Sequence, residues 1–301
     1  MEKDFNTACQ EYVEKCKKLK VQFPPQSQNE QPGKEYLMTP KPIFDREDYI
    51  GSGKLQGKVA IITGGDSGIG RSVSVLFAKE GAKIVIVYYN EHEDAMFTKQ
   101  YIEALGGECI LIATDLRDSS CSEDIVQKTL QCFGRIDIIV NNAGVQFIQE
   151  SILDITDEQL ALTFHTNIFS MFYLVRAALP HLKPYSSIIN ATSIVTYTGD
   201  GNLLDYVSTK GAIVGFTRAL AHNLADCKIR VNAIAPGRIW TPLQPSSYSI
   251  EDIPTFGSDT PMKRAGQPID VSPTYVYLAS KDSIYVSGQV LHVDGSESTS
   301  S

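Results

Sequence analysis

The feature that most narrows the folds open to this chain is an alternation that begins after Lys58. Short apolar runs rich in β-branched residues are separated by longer stretches with amphipathic, helix-like spacing. The runs are VAIIT (59–63), KIVIVYY (83–89), CILIAT (109–114), IDIIVNN (136–142), SIINAT (187–192), IRVNAIA (229–235) and QVLHV (289–293). Near-continuous apolar runs of this kind suit strands buried on both faces. Helices are predicted near 68–80, 91–105, 118–133, 157–182, 205–226 and 270–279. The alternation predicts an α/β fold: a Rossmann-type, doubly wound parallel β-sheet of seven strands with helices on both faces.

What precedes that pattern has a different texture. Residues 1–20 carry Phe5, Cys9, Tyr12, Val13, Cys16 and Leu19 at the spacing of a short amphipathic helix. From Phe23 to about Gly53 the chain turns to Pro, Gln and Gly, which favours extended, irregular backbone. The expected division is an N-terminal helix and Pro-rich arm over 1–56 and a single Rossmann domain over 57–301. With Lys and Arg at 27 against Asp and Glu at 35, the formal charge of −8 argues against nucleic acid or an anionic membrane as partner. No run approaches the ~18 apolar residues a membrane span needs. Six scattered cysteines without metal-ligand spacing read as free thiols in the cytoplasm, and no metal is expected.

The first run leads into Thr63-Gly64-Gly65-Asp66-Ser67-Gly68-Ile69-Gly70 and then a helix, so backbone amides can approach a pyrophosphate at a helix N-terminus. The spacing is G-x-x-x-G-x-G. It resembles the cofactor turn of the short-chain dehydrogenase/reductase family. Asn141-Asn142-Ala143-Gly144 after the fourth run, Asp115 after the third and Pro236-Gly237-Arg238-Ile239-Trp240-Thr241 after the sixth are similar to that family's remaining motifs in the same order. More closely, the arm, T-G-G-D-S-G-I-G and Ile239-Trp240-Thr241-Pro242-Leu243 resemble the glucose/ribitol-dehydrogenase-like and aldehyde-reductase-like branch. The resemblance implies NAD(P)(H) held by Gly64, Asp66, Ser67, Gly68, Ile69, Gly70, Tyr89, Asp115, Leu116, Asn142, Ala143, Gly144, Tyr206, Lys210, Pro236, Gly237, Ile239 and Thr241.

Tyr206 and Lys210 stand four apart in a predicted helix, which puts phenol and ammonium on one face. A free tyrosine titrates near ~10, and lowering it by about three units corresponds to ~4 kcal/mol of differential stabilisation by a nearby cation. Such an acid suits proton exchange with an alcohol or carbonyl oxygen. A second Y-x-x-x-K, Tyr277 and Lys281, lacks a serine thirteen residues upstream, where Tyr206 has Ser193, so Tyr277 is expected in the core. By resemblance, Tyr206 is the general acid/base, Lys210 lowers its pKa and holds the nicotinamide ribose, and Ser193 hydrogen-bonds the substrate oxygen. Asn167 takes the fourth catalytic position, helping to hold a proton-relaying water, although a buried mid-helix Asn also has structural uses.

Two choices stay open. An acidic residue after the second strand would favour NAD and an Arg would favour NADP, but Tyr88-Tyr89-Asn90 has neither. The loop from Pro242 to Met262 is long enough to be functional, and with Gln146 its polar character favours a small substrate. Ser193, Gln146 and Tyr206 are the candidate substrate contacts. Gly211, Ala212 and Gly215 would let the Tyr206 helix pair across a subunit interface, as in relatives, giving a homo-oligomer, expected to be a tetramer, and the arm could lie over a neighbouring subunit. The expected activity is hydride transfer between NAD(P)(H) and an alcohol, polyol, sugar, aldehyde or ketone. A nucleotide-binding sensor or scaffold without turnover is the alternative.

Overall fold

The computed structural model describes residues 22–298, so the helix expected over 1–20 lies outside the described residues. Seven parallel strands form one sheet: β1 (Val59–Thr63), β2 (Lys83–Tyr88), β3 (Cys109–Ala113), β4 (Ile136–Asn141), β5 (Leu182–Ala191), β6 (Arg230–Pro236) and β7 (Val290–Val293). Their order is β3-β2-β1-β4-β5-β6-β7, which reverses direction between β1 and β4. A crevice opens at the carboxyl ends of strands where such a reversal occurs. The helices are α1 (Gly68–Lys79), α2 (His92–Ala104), α3 (Cys121–Phe133), α4 (Asp157–Phe164), α5 (Ser170–Ala178), α6 (Val195–Thr198), α7 (Leu204–Asn223) and α8 (Pro268–Ala279).

The period-two side-chain rule divides the core into two layers. Ala60, Ile62, Ile84, Ile86, Ile138 and Val140 pack against α1, α2 and α8, whereas Val59, Ile61, Val85, Val87, Ile139 and Ile188 pack against α3, α5 and α7. Every residue of β1 is buried. Local chemistry fixes the helix ends: the Thr156 hydroxyl accepts from the Gln159 N–H at 3.1 Å to start α4, and Gly134, at φ 74°, closes α3.

Three differences from the sequence reading have physical causes. The helix expected over 157–182 is interrupted by a π-turn at His165–Phe169 and ends in a 3₁₀ turn at Leu179–His181. The strand β5 begins at Leu182, ahead of its apolar run, because Leu182 pairs with Ile136 across a register shift. Tyr277 is exposed rather than in the core, since α8 turns its neighbour Tyr275 inward instead.

Over its described residues the arm packs against its own chain. Phe23 stacks on Trp240 with centroids 3.8 Å apart, and the Trp240 indole N–H donates to the Pro40 carbonyl at 3.0 Å. At residues 35–37 the arm makes one 3₁₀ turn, where the Asp94 carboxylate accepts the Glu35 and Tyr36 N–H groups.

Candidate active site

At the glycine turn the backbone itself makes the site. Gly64 and Gly68 have φ of 62° and 51°, which a side chain tolerates poorly. A Cβ on Gly70 would lie 1.8 Å from the Gly64 carbonyl oxygen, so α1 can start this close only with glycine there. The second motif braces the first: the Thr63 hydroxyl accepts the Asn142 and Ala143 N–H groups at 3.0 and 3.1 Å, and the Asn142 amide donates to the Thr63 and Gly64 carbonyls. Farther along the same strand ends, the Asn141 amide bonds Asn190, which bonds Thr217 of α7.

The cleft above these strands has a volume of about 450 Å³. Of the catalytic, cofactor and substrate residues expected from sequence, all but Gly70 and Asn167 line it. Gly70 lies in the first turn of α1, where its missing side chain permits the close approach to Gly64. Asn167 sits behind the cleft in the π-turn. Its side chain accepts from the Val145 N–H at 2.8 Å and donates to the Val145 carbonyl and the Thr209 hydroxyl, so it holds the segment that follows Gly144. Thr241 is buried, and a Cβ on Gly68 would come within 3.1 Å of it, so this turn and the loop after β6 are closely fitted.

At one end of the cleft are Ser193, two residues beyond β5, and Tyr206 and Lys210 on α7. The Lys210 Nζ donates to the Ala191 carbonyl at 2.9 Å and lies 5.3 Å from the centre of the Tyr206 ring. Burial pushes the Tyr206 phenol up to about 12, against a smaller downward pull from the Ser193 hydroxyl, and burial brings Lys210 down to about 8. The lowering of the phenol expected from Lys210 is not seen, because burial sets the direction and raises it.

The other end is acidic. Asp66 is buried, and its Oδ2 has no hydrogen-bond partner among the described residues. Burial, and then the charge of Glu91, pushes the Asp66 carboxyl up to about 8, and Glu91 is itself raised by burial. Glu91 accepts the Tyr89 and Asn90 N–H groups at 3.1 and 2.8 Å. Asp115 is gripped by the Arg117 guanidinium, with Nε 2.9 and 3.0 Å from its two oxygens, and this holds its carboxyl below the ordinary value. Arg71, which follows the turn, is buried and committed: it pairs with Glu35 and Asp94, and its Nε donates to the Thr98 hydroxyl and Asp66 carbonyl.

Sequence reasoning missed Gln31, Glu35 and Glu91. Glu91 had a signal, because an acidic residue about twenty positions beyond the glycine turn is where a ribose contact is expected. Gln31 and Glu35 had none, since an arm that reads as irregular gives no sign of where it docks.

The pattern of the family described as enoyl-(acyl carrier protein) reductase matches residues 64–296. The uncharacterized oxidoreductase YhxC of Bacillus subtilis (strain 168) is 60% identical over 276 residues, spanning 92% of this chain and 96% of its own. The chain belongs to the short-chain dehydrogenase/reductase family. Glucose and ribitol dehydrogenase of Daucus carota is 50% identical over 91% of this chain and 96% of its own. A short-chain dehydrogenase from Burkholderia cenocepacia J2315, solved in complex with NADP, superposes with a TM-score of 0.76 at 30% identity, covering 80% of this chain and 98% of that one. As a member of this family, the chain is an NAD(P)-dependent oxidoreductase with the doubly wound sheet expected from sequence. Among the described residues, no helix is long and apolar enough to cross a membrane.

Proposed function

We infer that this oxidoreductase moves a hydride between a nicotinamide nucleotide and a small alcohol, polyol, sugar or carbonyl compound. The observation that carries this reading is the convergence of Ser193, Tyr206 and Lys210 at one end of a cleft whose floor is the glycine turn. The glycine cradle at the start of α1 fits a dinucleotide's pyrophosphate, apart from the Gly68 amide, which Glu35 holds. When bound, the nucleotide supplies or accepts the hydride. Tyr206 gives or takes the proton at the substrate oxygen, and the Ser193 hydroxyl donates a hydrogen bond to that oxygen as its charge changes. Lys210, held on the Ala191 carbonyl, carries its charge below pH about 8 and favours the phenolate when the proton leaves.

The far end of the cleft supports NAD(H) over NADP(H). Asp66 and Glu91 offer oxygens to ribose hydroxyls, and the negative charge of the pair would repel a 2′-phosphate. Of the other cations lining the cleft, Arg117 is paired with Asp115, and Arg238 with Asp259 and Glu297, so neither is a ready phosphate partner. A sugar or polyol substrate is supported by the likeness to the carrot enzyme and by the polar cleft walls at Gln146, Ser193 and Asp200.

A homo-oligomer is supported by α7, where a Cβ on Gly211 or Gly215 would meet open space, and sedimentation of the purified chain reads its size. Cytoplasmic residence is supported by Cys109, Cys121, Cys132 and Cys227, all free thiols.

The deciding experiment follows reduced-nicotinamide absorbance with each nucleotide over sugars, polyols, short alcohols and aldehydes, for wild type beside Tyr206→Phe. Turnover in wild type that is lost in the variant upholds hydride transfer. Tight nucleotide binding without turnover on the whole panel favours a sensor.

A further inference from the structure

The arm contributes a side chain to the cleft itself. Gln31 lines it, and its carboxamide pairs with the backbone of Gln146 in both senses: Oε1 accepts the Gln146 N–H at 3.0 Å and Nε2 donates to the Gln146 carbonyl. A side-chain amide here imitates a neighbouring strand and fixes the segment that leads from Gly144 into the substrate end. The same Nε2 also reaches the Ser246 carbonyl and the Ser247 hydroxyl, both at 3.3 Å, so one residue ties Gln146 to the loop that follows β6.

Further arm contacts fall on that same loop. The Gln28 N–H donates to the Pro245 carbonyl at 2.6 Å. Gly33 lies so close that a Cβ there would be 2.3 Å from the Pro242 oxygen. Phe23 and Pro40 grip Trp240, which is fully buried just before the loop begins. Across the glycine turn, the Glu35 carboxylate accepts the Gly68 N–H at 2.6 Å. The arm therefore spans from the start of α1 to the loop that carries Tyr248 and Phe256, and both of these residues line the cleft.

We propose that Gln31 is a positioning residue for the substrate: by clamping Gln146 to the 242–248 segment, the arm builds the far wall of the substrate end and limits how large a substrate reaches Tyr206. This rests on the hydride-transfer reading for its kinetic consequences, but the clamp is a physical claim about the chain alone. Gln31 touches no reacting atom. It acts by holding Gln146 and the loop where the substrate is received, which governs orientation rather than proton transfer.

The experiment compares full-length wild type, Gln31→Ala, Gln31→Glu and Phe23→Ala. Kinetics use a graded series of aldehydes and polyols, and hydrogen exchange reads the amides of Gln146 and residues 243–248. Gln31→Ala is expected to raise KM for the smallest good substrate about tenfold, with kcat changed far less, and to narrow the preference for small over bulky substrates. Nucleotide Kd and the pH profile of turnover should stay as in wild type. Gln31→Glu should be worse than Ala, because a carboxylate faces the Gln146 carbonyl. Phe23→Ala, remote from Tyr206, should loosen the same loop. Exchange at Gln146 and 243–248 should quicken about tenfold in the Gln31 variants while β1 to β4 are unchanged.

Lower thermal stability with unaltered size preference and unaltered loop exchange overturns the proposal, leaving Gln31 a purely structural contact. If no compound turns over in wild type, the hydride-transfer reading fails, and hydrogen exchange still decides the clamp by itself.

Discussion

The two ends of the cleft are shaped by the same force acting on opposite charges. At the reactive end, burial drives Tyr206 up to about 12 and Lys210 down to about 8, so the neutral form of each gains. At the acidic end, burial drives Asp66 up to about 8 beside a raised Glu91, leaving the two carboxyl groups to compete for a proton. The reactive end is built for proton exchange and the other for recognition. Burial alone does not tell these roles apart; the partners do. Tyr206 has Ser193 and a lysine next to it, whereas Asp66 has an unsatisfied oxygen and another carboxylate.

If the ends are independent, damage to one should leave the other intact. Lys210→Met should cut turnover by about 10²–10⁴ while the ratio of NAD to NADP affinity stays constant, as read by fluorescence titration. A changed ratio would break the separation. Removing Glu35 tests whether the arm belongs to the acidic end. Glu35→Ala takes one carboxylate from the buried Arg71 but leaves Asp94, so the loss should fall near the low end of that for breaking a buried pair, about 3 kcal/mol in denaturant unfolding.

Glu91→Gln should shift the affinity ratio toward NADP by about tenfold, equivalent to about 1.4 kcal/mol, with little effect on kcat for a bound substrate. The smallest effect concerns pH. Asp66 binds its proton more tightly in the folded chain than in the unfolded one, where the ordinary value is 3.8, so it favours folding below pH about 4. That contribution is lost as pH rises toward about 8. Asp66→Asn should flatten the stability profile over this window, by about 1 kcal/mol because Glu91 shares the proton, as followed by urea unfolding at a series of pH values.

This contrast also explains what was legible in the sequence. The sheet could be read because each strand is a local apolar run and each glycine of the turn has a local conformational reason. Tyr206 and Lys210 could be read because one helical turn brings them together. Asp66 and Glu91 meet through the adjacency of β1 and β2, so their pairing could not be read from either stretch of chain by itself. Arg71 follows the glycine turn directly, yet its partners Glu35 and Asp94 lie 36 and 23 positions away, and nothing local announces them. Tyr277 misled for a related reason: the inward face of α8 is taken by Val271, Tyr275 and Leu278, all fully buried, and the helix geometry leaves Tyr277 facing out.

The contact between Pro40 and Trp240 joins residues 200 positions apart, and Gln31 meets Ser246 across 215. Such separations slow the search for native contacts. The arm comes early in the chain, yet its seat on Trp240 and the following loop does not exist until β6 has joined the sheet. In time, then, residues 23–40 are expected to complete the substrate wall last although they come early in the chain, and a folding experiment should find the sheet assembled before the cleft acquires its size.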